Sequence, residues 1–266
     1  MLSLEKQILY MIRHRREMTT SEMIHIYKER GKSEQIIRNT LSSLKQKGYI
    51  TAEDRTYTIT DAGLHVILSL QIKMNGGEQP WDGRWHLVMF SFPEQQRSLR
   101  NAFRRELVGI GYGLLYDGVF ICPFNRQEAV LAFAERHELE SMIRMVHGDM
   151  DFGGVTPSQA LHIWPILAIQ EKYEKFIAWA ATKQNQLSLT LEHESSSSAW
   201  KILLEILELG EAFGEILLED PFLPQDLLPG DWAMKLAWDA YNQYLQQLIP
   251  HLQEDTELLS LILPTS

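Results

Sequence analysis

A chain of 266 residues has room for two or three domains, since single domains cluster near ~100–150 residues. With 45% hydrophobic and 23% charged residues the composition is that of an ordinary globular protein, and no run approaches the ~18 apolar residues of a membrane-crossing helix. The lone cysteine, Cys122, excludes an internal disulfide, and the opening residues lack the zones of a secretory signal, so a cytoplasmic protein without a membrane partner is expected.

The net charge of −10 argues against a nucleic-acid partner until its distribution is read. Residues 1–60 hold eleven Lys/Arg against seven Asp/Glu, residues 61–166 nine against twelve, and residues 167–266 five against sixteen. A basic head on an acidic body suits a protein that meets a polyanion with one end only.

In chain order, Leu4, Ile8, Leu9 and Ile12 fall at helical spacing. Thr19-x-x-Glu22 has the form of a capping box and opens a second helix, with Met23, Ile26 and Tyr27 inward and Gly31 as its stop. Ser33 caps a third helix whose buried stripe is expected to be Ile36, Ile37, Thr40, Leu41 and Leu44, ending at Gly48. Tyr49–Thr51 and Thr56–Thr60, joined by a polar turn through Arg55, read as a hairpin. Three helices and a hairpin make a winged helix-turn-helix over residues 1–70. Gly76, Gly77 and Pro80 mark a linker over 71–80.

Residues 81–160 read as β-α-β-β-α-β, the ferredoxin-like order. They comprise a strand from Trp85, a helix bearing Leu99, Phe103 and Leu107, and a hairpin around Asp117-Gly118. A helix over 126–138 and a strand from Ser141 to His147 complete the unit. Residues 161–266 read as helical over 165–182, 199–218 and 230–249, broken by the polar Ser195–Ser198 and the proline-rich stretch from Asp220 to Pro229. The fold class is therefore multidomain α+β.

Several segments together resemble the PaaX family, repressors of phenylacetic acid degradation operons. They are the stretch Gly31–Ile50 with Tyr57–Gly63, the motifs Trp81-Asp82-Gly83-Arg84-Trp85 and Phe90-Ser91-Phe92-Pro93-Glu94, and the closing series Asp220-Pro221, Leu223-Pro224 and Leu227-Leu228-Pro229-x-Asp231-Trp232. The resemblance implies a homodimer on a palindromic double-stranded operator, released by an acyl-CoA effector such as phenylacetyl-CoA. The chain departs from the family's pattern at Glu211, Glu215 and Glu219, where basic residues are expected before the Asp-Pro motif.

On the third helix, with Ile37, Leu41 and Leu44 inward, the outward residues are Glu34, Gln35, Arg38, Asn39, Ser42 and Lys45. Arginine pairs with guanine O6/N7 and Asn or Gln with adenine N6/N7, so Gln35, Arg38 and Asn39 are assigned to base edges, with Ser42 beside them. Lys45, Lys47 and Arg55 are assigned to phosphates. Arg97, Arg100 and Arg104, with Arg105, share a helix of the middle segment. They suit structural salt bridges to the acidic C-terminal segment first, with acyl-CoA phosphate or DNA backbone as alternatives.

The middle segment also resembles small ferredoxin-like CRISPR-associated nucleases, but its first strand ends Met89-Phe90-Ser91-Phe92 without a carboxylate for a metal. No histidine or cysteine spacing suggests a metal site. The expectation is therefore a regulator with no catalytic residues, metal or cofactor. The rival reading is a non-catalytic acyl-CoA or protein-binding module whose winged helix serves protein interaction.

Overall fold

The computed structural model describes residues 4–64, 66, 81–150, 153–193 and 199–252. The chain is a mixed α+β protein with two antiparallel sheets among the described residues, and it divides into two compact units. One gathers Met1–Ile72, Lys172–Leu218 and Ala233–Ser266, and the other Lys73–Glu171 and Glu219–Trp232. The expected linker at 71–80 and the polar tract Ser195–Ser198 lie outside the described residues.

In the first unit, α1 (Leu4–Arg15) buries Ile8, Leu9, Met11 and Ile12. The three-residue strand β1 (Glu17–Thr19) leads into α2 (Thr20–Glu29), whose first turn is closed as expected. The Thr19 hydroxyl accepts from the Glu22 amide at 3.3 Å, and the Thr19 amide donates to the Glu22 carboxylate at 2.7 Å. Partial burial alone would raise the Glu22 carboxyl. The hydrogen bonds from Thr19 and the charge of Arg15 prevail and hold it below the usual carboxylate range. Helix α2 ends where Gly31 takes φ +70°, a conformation glycine adopts without steric cost.

Helix α3 (Glu34–Gln46) starts at Ser33, whose side chain accepts from the Ile36 amide. Its buried stripe is Ile37, Leu41 and Leu44 only. Ile36, expected in that stripe, is 47% exposed. At ~100° per residue it sits a quarter-turn round from Ile37, beyond the edge of the inward face. Strands β2 (Ile50–Glu53) and β3 (Thr56–Ile59) form the expected hairpin, and β1 adds to its other edge in the order β1-β3-β2. The turn residues Asp54 and Arg55 have φ of 46° and 68°, as a two-residue primed turn requires.

The second unit runs β4 (Trp85–Phe90), α4 (Arg97–Gly109), β5 (Gly113–Tyr116), β6 (Val119–Cys122), α5 (Gln127–Arg136) and β7 (Ile143–Gly148). The strands lie in the order β5-β6-β4-β7, with every neighbouring pair antiparallel. Alternation along the strands divides the apolar residues between two faces. Val88 and Phe120 meet Phe103 and Leu107 of α4 and Val130 and Phe133 of α5. Trp85 and Ile121 face the other way, into a cluster with Ala160 of α6 (Pro157–Ile163), Trp164, Leu223 and Leu227.

That second cluster draws together segments far apart in sequence, and they are the motifs singled out above. Trp81 packs edge-on against Trp85 at 4.8 Å, and Trp85 stacks on Trp164 at 6.5 Å. The Trp164 indole donates to the Gly111 carbonyl at 3.1 Å. Gly113 lies so close beneath Trp164 and Ile163 that a Cβ there would come within 2.3 Å of Ile163 Cγ2. The tryptophan and Leu-Pro motifs are thus the apolar filling of one sheet face. Residues 219–232, read from sequence as part of a helical third segment, belong to this unit.

The remaining helices are α7 (Ile166–His193), α8 (Ala199–Glu219) and α9 (Met234–Leu248). The last begins later than expected because Pro229 to Trp232 form a turn, with the Trp232 amide donating to the Pro229 carbonyl at 3.1 Å. Tyr173, Phe176, Phe213 and Tyr244 are buried, with the Phe213 ring 5.1 Å from Phe176 and 5.0 Å from Tyr241. These aromatics pack on one another as core. Glu211 of α8 accepts from Gln7 of α1 at 2.8 Å and from the Arg30 guanidinium, joining the N-terminal helices to α8 within the same unit.

Candidate nucleic-acid interface

The outward surface of α3 follows from its buried stripe. With Ile37, Leu41 and Leu44 inward, positions 35, 39, 42 and 46 fall on the opposite side of a helix of 3.6 residues per turn. Gln35, Asn39, Ser42 and Gln46 are all exposed there. Gln46 was not among the residues expected from the sequence, although its i+4 spacing from Ser42 places it in the same row. Gln35 Nε2 donates to Asn39 Oδ1 at 2.8 Å, so the two carboxamides stand side by side.

Arg38 lies on the flank of this row, where its guanidinium meets the Glu34 carboxylate at 2.6 Å. Both side chains are more than half exposed, and such a pair is worth only ~0–1 kcal/mol. A better acceptor, such as guanine or phosphate, can therefore displace Glu34. Lys45 is exposed on the same flank, about two turns further on.

Lys47 is placed differently. It is the C-terminal cap of α3, and its ammonium sits 2.7 Å from Glu5 of α1, which also accepts from Ser43 at 2.8 Å. Burial would raise the Glu5 carboxyl, but these hydrogen bonds and the lysine charge hold it below its usual range. Lys47 therefore braces α3 against α1 in the unbound protein. Arg55 stands at the tip of the β2–β3 hairpin with a backbone that favours glycine. Thr51 and Thr58 share a hydrogen bond at 2.8 Å across that hairpin. Gln35, Arg38, Asn39, Ser42 and Lys45 are thus presented by one helix, with Arg55 on the hairpin.

The arginines of α4 belong to the other unit. Arg97 and Arg100 approach Glu94 at 3.9 and 3.4 Å, and Arg104 pairs with Asp117 of the β5–β6 turn. These acidic partners come from the middle segment itself and not, as expected from the sequence, from the acidic C-terminal segment, because Glu94 lies one turn ahead of the helix and Asp117 at the neighbouring hairpin turn. Among the described residues no group of three His, Cys, Asp or Glu side chains is placed to hold a metal ion. No helix among them is long and apolar enough to cross a membrane.

Residues 78–161 match the family model described as the PaaX protein central Cas2-like domain, and residues 164–254 match the PaaX-like protein C-terminal domain. The transcriptional repressor PaaX of Escherichia coli strain K12 is 22% identical over 228 residues, which span 83% of this chain and 71% of the relative. The solved structure of uncharacterized protein Rv0674 from Mycobacterium tuberculosis shares the fold at a TM-score of 0.53 and 19% identity, covering 88% of this chain and 89% of that one. These matches put the chain among the transcription regulators. It belongs to the PaaX family.

Proposed function

We propose that the protein is a sequence-specific repressor that binds a double-stranded operator through an N-terminal winged helix-turn-helix. The observation that carries this reading is the exposed row of carboxamide and hydroxyl side chains on α3, a helix capped at Ser33 and followed by a hairpin with a cation at its tip. In this reading α3 is the recognition helix, with Gln35, Arg38, Asn39 and Ser42 toward base edges. Lys45 and Arg55 neutralise phosphates, and Lys47 joins them by exchanging Glu5 for a phosphate oxygen. The functional parts are the winged helix of 1–70, the linker of 71–80, a ferredoxin-like middle part over 81–160 and a helical part over 161–266. The strand order β5-β6-β4-β7 supports the ferredoxin-like reading. The protein acts in the cytoplasm as a homodimer, because two-fold operators match two-fold proteins. An acyl-CoA such as phenylacetyl-CoA releases it from a catabolic operon, with Arg97, Arg100 and Arg104 as the candidate contacts to its phosphates.

The test is a footprint of the purified protein on its own promoter region at several salt concentrations. Protection of a site with two-fold symmetry, and affinity falling steeply with salt, are expected. Arg38→Ala should cost ~1–3 kcal/mol at one base pair, whereas Lys45→Ala should weaken all sequences alike. Absence of any protected site at low salt would overturn the reading.

A further inference from the structure

We propose that Ile36 and Thr40 form a second reading row on α3, one that takes the methyl groups of thymine beside the carboxamides of Gln35 and Asn39. The helix face is then matched to A·T pairs. The inference rests on the DNA-binding reading above and deepens it.

Ile36 sits in the first turn of α3 and is 47% exposed, outside the stripe that holds the helix to its unit. A single exposed apolar side chain is ordinary on a protein surface. What distinguishes this one is its neighbourhood. Thr40 lies one turn further along the same side, and its hydroxyl donates to the Ile36 carbonyl at 2.8 Å. The hydroxyl is thereby engaged by the helix itself, and the Thr40 methyl is left as the group to meet a partner. Ile36 and Thr40 so make a short apolar row in the helix half whose residues reach base edges in helix-turn-helix complexes.

The adjoining row supplies the other half of the match. The Gln35–Asn39 hydrogen bond uses one amide hydrogen and one carbonyl, leaving Gln35 Oε1 and the Asn39 amino group. An acceptor beside a donor complements adenine N6–H and N7. In the major groove an A·T pair sets those groups next to the thymine methyl, so a polar row beside an apolar one fits the pair as a whole. A G·C pair offers no methyl, and the apolar row would be left against polar edges.

Replacing each thymine of the footprinted half-site in turn by deoxyuridine removes one methyl and leaves the pairing intact. Covering one such group is worth roughly a fourfold change in affinity. Wild type is expected to lose about that factor at one or two positions. Ile36→Ala should lose affinity for the thymine site and become indifferent to deoxyuridine at one of them. Thr40→Ser, which keeps the hydroxyl's bond to the helix, should do so at the second. Unchanged melting of Ile36→Ala is expected from its exposure, and the wild-type scan stands even if that variant is unstable. Deoxyuridine without effect at every position, in a wild type that binds its site, overturns the inference and leaves the repressor reading intact. A penalty that persists in both variants assigns the methyl contact to other residues and also overturns it. If wild type protects no DNA, the repressor reading fails and this one with it.

Discussion

Arg55 occupies a conformation that costs a side chain of the L series about 1 kcal/mol or more, at the tip of a hairpin where glycine would sit without strain. A cation held there against local preference suits the phosphate contact proposed for Arg55. Arg55→Gly is therefore expected to hold or raise stability, by up to ~1 kcal/mol, while lowering the salt slope of DNA binding by about one. Denaturant melts and titrations at several salt concentrations measure both, and a loss of stability would return Arg55 to a structural role. Tyr27 points the other way. It is fully buried in α2, and among the described residues its hydroxyl meets no hydrogen-bond partner. Tyr27→Phe should leave stability unchanged or raise it by ~1 kcal/mol, since a buried polar group without a partner is a cost. At this scale the sequence was readable where a side chain had one strong local rule to obey, as at Thr19, Gly31 and Ser33. It misleads at Ile36, because hydrophobicity alone does not imply burial and much of a protein's surface is apolar.

Helix α2 shows how a local rule becomes a pH dependence. The Glu22 carboxyl is held below its usual range, so the ionised form is the one that stabilises the fold. Its contribution is complete above the unfolded value of ~4.3 and is lost as pH falls through the lowered folded value. Thermal melts of wild type and Glu22→Gln should differ near neutral pH and converge as the solution is acidified through the lowered folded value. A constant gap would show that Glu22 acts through something other than its charge. The elements legible in the sequence were those with a clear period or cap. Strand β1 was not, since three residues contain no measurable alternation. Helix α6 carries its own capping box, Thr156 with Gln159, but at seven residues it too is short for a period to show.

At the scale of the molecule, periodicity says nothing about which helices pack on which partners. Glu211 read as a departure from a family pattern, and the structure gives it Gln7 and Arg30 as partners. Likewise the tryptophan and Leu-Pro motifs were legible as a signature but not as the two sides of one apolar cluster. The effector is tested on the whole protein. Calorimetric titration of phenylacetyl-CoA with and without operator should show binding weakened by DNA, by the same factor that the ligand weakens DNA binding. Equal affinity in both states would exclude this compound as the inducer, since such a ligand shifts no equilibrium.

The pairing of Arg30 with Glu211 also sets an order of events during synthesis. The two residues are 181 positions apart, and the unit they join is gathered from three separate stretches of chain. A ribosome adding ~5–20 residues per second leaves Arg30 waiting roughly 10–40 seconds for its carboxylate. The basic head thus emerges early and is fastened late. A chain halted before α8 would carry all of the DNA-contacting residues proposed here with none of the acidic helix that secures them, and should be the form most exposed to proteases.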